Sequence, residues 1–368
     1  MPCVLPVSVG ASRFPVAGFR WNVPACWLNV GGCMKRIGRI AFTLAFPLVM
    51  YLLMEGLCLW LKDRHLIVSW LDIKTLIRNS GISALIAFSL SFNLSCGRFD
   101  LSLGAQRLAG TIVGGIVAQL LGLSGVWILL FALAFGLAFG FVTGLAFVTL
   151  RVPPMVLGVG LGLVWECVPY VASQGKGLNL FGVSGVEILS QTGFVVALMV
   201  VAGVFVTILM NTTRFGYQMR AIQGSQLIAR SNGIDVFRHA VICYTLAGGL
   251  VCVAGTVDVA FSTQMSATLG LASNAPVVTN MFAMVLGGYI GSRSNQAVGI
   301  IVAALTIKLF SFGLTSLELS EANANFANMI LFILFLVFMA NKSVVAQRKA
   351  DAQRIQQARE KRRSLGLA

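Results

Sequence analysis

Glu55, Glu166, Asp258 and Lys308 interrupt stretches of this chain that are otherwise apolar. A charge in hydrocarbon is costly and generally faces a partner or a water-filled cavity. These positions are therefore the first candidates for polar chemistry. Glu55 and Asp258 fall near the ends of their stretches, within reach of the interface. Glu166 and Lys308 fall deeper, and two roles fit them: lining a pathway, or pairing with each other. Nucleotide chemistry has no footing. There is no GxxxxGK[ST] run to cradle phosphates, and Gly175-Lys176-Gly177 has the residue types without the spacing. The eight cysteines include no CxxC pair and fall largely in or beside apolar stretches. They read as small packing residues, so no metal, disulfide framework or cofactor is expected.

A second polar constellation runs from Leu85 to Gly97, where Ser89, Ser91, Asn93 and Ser95 occupy alternate positions. Positions two apart point to nearly opposite sides of a helix. Either the backbone is unwound here or both faces of a helix are buried against protein and water, since irregular backbone at membrane depth needs such surroundings. This makes the segment a candidate pathway lining. The bland alternative is serines bonding back to their own helix, with Asn93 joining two helices. Asp100 and Ser102 follow, and either could cap the first turn of the next helix.

The elements that must carry these residues are transmembrane helices. Hydrophobic residues make up 57% of the chain and charged residues 11%, against about 25% charged in soluble domains. Apolar stretches long enough to cross a bilayer predict about ten spans, at 40–60, 77–96, 101–121, 126–150, 154–173, 193–210, 239–260, 274–290, 297–316 and 326–341. The 39 glycines suit close helix packing. With Lys35, Arg36 and Arg39 in the cytoplasm, the loops on that side hold Arg98 and Arg107, Arg151, Arg214, Arg220, Arg230, Arg238 and Arg293, and the tail from 342 to 368 is strongly basic. The other side holds Lys62, Arg64, Lys74, Arg78 and Lys176. An even number of spans with both termini inside follows from this bias. The net charge of +15 lies in loops and ends rather than among stacking aromatics, which excludes a nucleic-acid module. Residues 1–34 differ in character and read as an extension or a mis-assigned start ahead of a transmembrane domain at 35–341. Trp60 to Asn79 reads as an amphipathic stretch along the outer interface.

The segment Thr213 to Ile234 is the most informative loop. Ser225 is a plausible N-cap and Gly233 a plausible stop, bracketing a helix of about two turns with Leu227 and Ile228 on an apolar side. A short capped helix carrying exposed apolar residues beside a membrane needs something to dock against.

At this point the chain resembles the permease subunits of ABC importers of the ribose and simple-sugar type. The likeness rests on Phe99-Asp100-Leu101-Ser102-Leu103-Gly104, Leu150-Arg151-Val152-Pro153-Pro154, Thr213 to Ile234, and Val285-Leu286-Gly287-Gly288. It implies an all-α type II importer fold. In that family a helix in this loop docks on a separate ATPase subunit, which assigns Gly216, Ala221, Gly224, Ala229, Gly233 and Ile234, with Arg214, Phe215 and Arg230 beside them, to the coupling element. The implied partners are an ABC ATPase, a second permease chain, a soluble binding protein and the lipid of a bacterial inner membrane. The implied activity is transport of a small polar solute, with a monosaccharide expected and no enzymatic site on this chain. The candidate pathway residues are then Ser89, Ser91, Asn93, Ser95, Asp100, Ser102, Glu166 and Lys308. The sequence departs from the family pattern at Arg98 and Phe99, where glycine and isoleucine are usual, and after Gly288, where Tyr289 and Ile290 replace further glycines. An ion-driven secondary carrier is the rival reading, and it would call for paired deep acidic residues and inverted repeats.

Overall fold

A computed structural model describes residues 30–292 and 295–318, and beyond them Met329, Ile333 and Val337, which are helical; for residues 30–40 it describes the backbone alone. The described chain is almost wholly helical. The long helices are α1 (Val30–Lys62), α2 (Trp70–Leu94), α3 (Leu103–Leu120), α4 (Val126–Leu150) and α5 (Pro154–Ala172). After the short β1 (Leu178–Asn179) and α6 (Val186–Ser190) come α7 (Thr192–Thr212), α8 (Arg214–Gly224), α9 (Gln226–Ser231) and α10 (Val236–Ser262). The strand β2 (Gln264–Met265), a 3₁₀ turn (Ala272–Asn274), α11 (Ala275–Gly291) and α12 (Gln296–Ser316) complete the order.

Among the described residues, seven helices are long and apolar enough to cross a membrane: α1, α2, α4, α5, α7, α10 and α12. The fold is therefore all-α and membrane-type, while a count of ten spans is not established. Helix α3 has 18 residues and carries buried Gln106 and Arg107, and α11 has 17. The expected span at 326–341 lies outside the described residues apart from Met329, Ile333 and Val337.

Helix α2 is the axis of the bundle. It packs against α10, α12, α7 and α11, which is why residues on every side of it from Ser80 to Asn93 are buried. The alternating polar residues thus sit on a continuous helix enclosed by protein, and the backbone is not unwound. Helix α2 also begins seven residues before the expected span. Ser69 and Asp72 form a capping box at its start, Ser69 Oγ accepting from Leu71 N at 3.1 Å and Asp72 Oδ2 from Ser69 N at 2.8 Å. Of the stretch 60–79 expected along the interface, residues 60–62 belong to α1 and 70–79 to α2.

The tightest helix pair is α4 on α10. Gly136, Gly140 and Gly144 recur every fourth residue and form one face of α4. A Cβ at Gly136 would lie 2.6 Å from the Gly248 carbonyl, one at Gly140 would strike the Tyr244 carbonyl, and one at Gly144 would lie 2.9 Å from Val241 Cα. Small residues allow the backbones to meet where no hydrophobic drive separates helix from lipid. Strands β1 and β2 pair antiparallel, Leu178 opposite Met265, and fasten the 173–185 connection to the end of α10. They mark one end of the bundle; α8 and α9 mark the other.

Candidate functional site

The polar residues gather in two places within the bundle. The first is a cavity of about 110 Å³ lined by Asn79, Ser83, Arg107, Asp258, Asn280 and Lys308, brought together from five helices, α2, α3, α10, α11 and α12. Arg107 Nη1 donates to Asp258 Oδ2 at 2.8 Å. The Arg107 side chain is only 9% exposed and that of Asp258 is 37% exposed toward the cavity. Ser83 Oγ donates to Asn280 Oδ1, and Asn280 Nδ2 to the Pro276 carbonyl at 2.7 Å. Such an array of fixed donors and acceptors around a void can hydrogen-bond a small polar molecule.

This arrangement corrects three expectations. Arg107 is not a loop cation; it lies in the second turn of α3 and is buried. Asp258 does not simply reach the interface, because it is held by Arg107. Lys308 does not pair with Glu166. The Glu166 carboxylate, fully buried, accepts from Leu271 N at 2.8 Å, Ser273 N at 3.1 Å and Ser273 Oγ at 2.6 Å. Its role is to hold the turn ahead of α11, where Leu271 has φ +65°. Replacing Glu166 with Gln sets an amide NH2 against these donors. We expect a loss of about 2–3 kcal/mol, read as a lower thermal midpoint of the purified chain, with Ser273→Ala costing less.

The second place is the junction between α2 and α3. A water-sized cavity there, about 10 Å³, is lined by Asn93, Arg98, Phe99, Asp100 and Leu101 among others. Both amide atoms of Asn93, one Arg98 nitrogen and Asp100 Oδ2 are buried with no protein partner. Asp100 Oδ1 accepts from Ser102 N at 2.8 Å and from Ser102 Oγ at 2.6 Å. Ser102 makes no side-chain capping bond to the first turn of α3; its hydroxyl instead accepts from Gln106 Nε2 at 2.7 Å. The capping role expected of these two residues is thus replaced by a link onward through Gln106 to Thr143 of α4, at 3.3 Å, to which Trp165 of α5 also donates at 3.0 Å.

The remaining polar positions of α2 separate. Ser91 bonds back to the Phe88 carbonyl at 2.7 Å. Ser89 Oγ is buried without a partner. Ser95 ends α2 and lines a groove with Gln223, Gly288 and Gln296. Sequence reading missed Ser83, Gln106, Thr143 and Asn280, since single polar residues on separate helices leave no local pattern.

At the α8–α9 end, α8 turns directly out of α7. Gly216 is required there because a Cβ would strike the Met210 carbonyl, whereas Gly224 faces open space. The short helix lies where the spacing places it. Ser225 Oγ accepts from Ile228 N at 3.4 Å, Ile234 N donates to the Ala229 carbonyl at 3.1 Å, and Gly233 adopts φ +79°. Leu227 and Ile228 are 83% and 64% exposed while Ala229 is 2% exposed. Ala229 seats the helix, and its apolar side is presented outward. Arg214, Ala221 and Arg230 lie on the exposed side, and Phe215 and Ile234 pack against the core.

The profile described as "Branched-chain amino acid transport system / permease component" matches residues 73–339. The chain belongs to this family. It is 29% identical over 259 residues to the ribose import permease protein RbsC of Bacillus subtilis, covering 68% of this chain and 79% of that one. It is 26% identical over 248 residues to the L-arabinose transport system permease protein AraH of Escherichia coli, covering 64% and 73%. The fructose import permease protein FrcC of Rhizobium meliloti is 23% identical over 229 residues, covering 58% and 62%. As a member of this permease family the chain is a multi-pass membrane protein and a transport component.

Proposed function

We propose that this chain is the membrane-spanning subunit of an ATP-driven importer that moves a small polar solute, with a monosaccharide as cargo. The observation that carries the ATP coupling is α9, a capped two-turn helix with Leu227 and Ile228 turned outward at one end of the bundle. The relatives are named for ribose import, L-arabinose transport and fructose import, which supports a sugar. The Arg107–Asp258–Lys308 cavity supplies donors and acceptors that suit hydroxyl groups.

In this reading a separate ATPase subunit closes beneath α8 and α9 and shifts them against α2 and α10. Two permease chains, spanning 35–341, then rock so that the pathway between them opens to one side at a time. A soluble binding protein presents the sugar at the β1–β2 end. The chain lies in a bacterial inner membrane with both termini cytoplasmic. ATP can drive this cycle only through differing affinities of the two ends for the two states.

The test is sugar uptake into proteoliposomes that hold this chain, its ATPase and its binding protein. Uptake should require ATP on the α8–α9 side. Uptake driven by a proton or sodium gradient with no ATP would establish a secondary carrier instead.

A further inference from the structure

Where α2 ends, Cys96 meets His239 and Cys243 of α10, and the three ligand atoms lie within 4.8 Å of one another. All three residues are buried, at 3%, 2% and 0% exposure. Their spacing hides them from a motif search, because only His239 and Cys243 share a helix, one turn apart. We propose that Cys96, His239 and Cys243 form a three-coordinate site for a soft monovalent cation, copper(I).

Three observations carry this. The first is the donor set: two thiols and an imidazole are the ligands that soft d¹⁰ cations take in preference to magnesium or calcium. The second is the imidazole's outer partner. His239 Nε2 lies 3.3 Å from the Phe215 carbonyl, which can only accept, so Nε2 carries the proton and Nδ1 turns its lone pair toward Cys243 Sγ at 3.4 Å. A backbone carbonyl on the far nitrogen is the usual outer support of a metal-bound histidine. The third is charge. Arg98 is 3% exposed; its Nη1 makes no hydrogen bond, its Nη2 donates to the Val236 carbonyl at 3.4 Å, and among the described residues no carboxylate forms an ion pair with it. It stands close enough to act electrostatically on both thiols.

Binding releases the two thiol protons to solvent and forms two Cu–S bonds and one Cu–N bond, with no change of oxidation state. Counting the ligands and Arg98 alone, two thiolates and one monovalent cation leave zero net charge; a divalent ion leaves one positive charge, which among the described residues only the Asp100 carboxyl on the Arg98 cavity would offset. The bound ion would tie the end of α2 to α10. That is the point on which α8 and α9 rest: Phe215 stacks on His239 at 4.4 Å, and Gln226 Nε2 donates to the Cys96 carbonyl at 3.2 Å.

The experiment uses the full chain in detergent with Cys3, Cys26, Cys33 and Cys167 changed to Ser, titrated anaerobically with copper(I) against a chelator of known affinity. One equivalent per chain, with near-ultraviolet thiolate-to-copper absorption, is expected. Cys243→Ser and His239→Gln should each weaken binding by at least the ~10-fold to 100-fold that loss of an outer support costs. Retention no greater than in the monodisperse Cys96→Ser/Cys243→Ser double variant would overturn the site. Preferential binding of zinc under the same titration would overturn the monovalent assignment.

Discussion

Replacing Leu227 and Ile228 together with Asp should abolish stable association with the ATPase subunit while leaving the chain folded. Both side chains are exposed, at 83% and 64%, so the substitution removes little contact within the bundle. The Ser225 cap and the Gly233 stop are untouched. If the ATPase covers them as proposed, burying a Leu and an Ile side chain contributes about 1.5–3 kcal/mol each. Their joint loss, about 3 kcal/mol or more, should weaken binding by about 100-fold or more. Titration of purified ATPase onto the reconstituted chain measures this. Gly224→Leu should act in the same direction, because a side chain there enters open space on the docking face. Ala229→Asp differs: it introduces a charge at a position 2% exposed and should lower stability as well. Unchanged affinity in the Leu227→Asp/Ile228→Asp variant would remove α9 from the coupling account.

The second large effect concerns the cavity. Asp258→Asn leaves Arg107 and Lys308 facing one cavity with no carboxylate among its lining residues. Breaking one side of a buried pair generally costs more than the pair contributes, because a charge is stranded. A loss of about 3 kcal/mol is expected, the lower end of that effect, since the Asp258 side is 37% exposed. Replacing both Arg107 and Asp258 with Leu should cost less than the sum of the single changes. Thermal unfolding in detergent reads stability, and uptake reads the pathway. The double variant should regain stability without regaining transport. Recovery of transport along with stability would show that the pair is structural and lies off the pathway.

What could be read in the sequence follows from how local each signal is. The α9 helix was legible because its cap, its stop and its apolar pair lie within ten consecutive residues. The long helices were legible because hydropathy accumulates over about twenty positions. The start of α2 was missed because Lys74 and Arg78 lower the hydropathy of a segment that the Ser69–Asp72 box nonetheless initiates. The Arg107–Asp258 pair spans 151 positions and the Glu166–Ser273 bond 107. Neither has a periodic signature, so Glu166 and Lys308 stood as possible partners only because both are deep charges. The polar ladder of α2 shows the same limit from the other side. Its spacing left open an unwound backbone or a helix buried on both faces, and the tertiary neighbours α7, α10, α11 and α12 are what decide for the buried helix.

In the proposed coupling an outside motor attaches at α9. A photo-crosslinking amino acid placed at position 227 tests it most directly, with position 181, where Phe181 is 83% exposed near the β1–β2 end, as the opposed control. Irradiation in native membranes followed by mass spectrometry should give an adduct with a P-loop ATPase from position 227 and none from position 181. An ATPase adduct absent at 227, or present equally at both positions, would contradict the account.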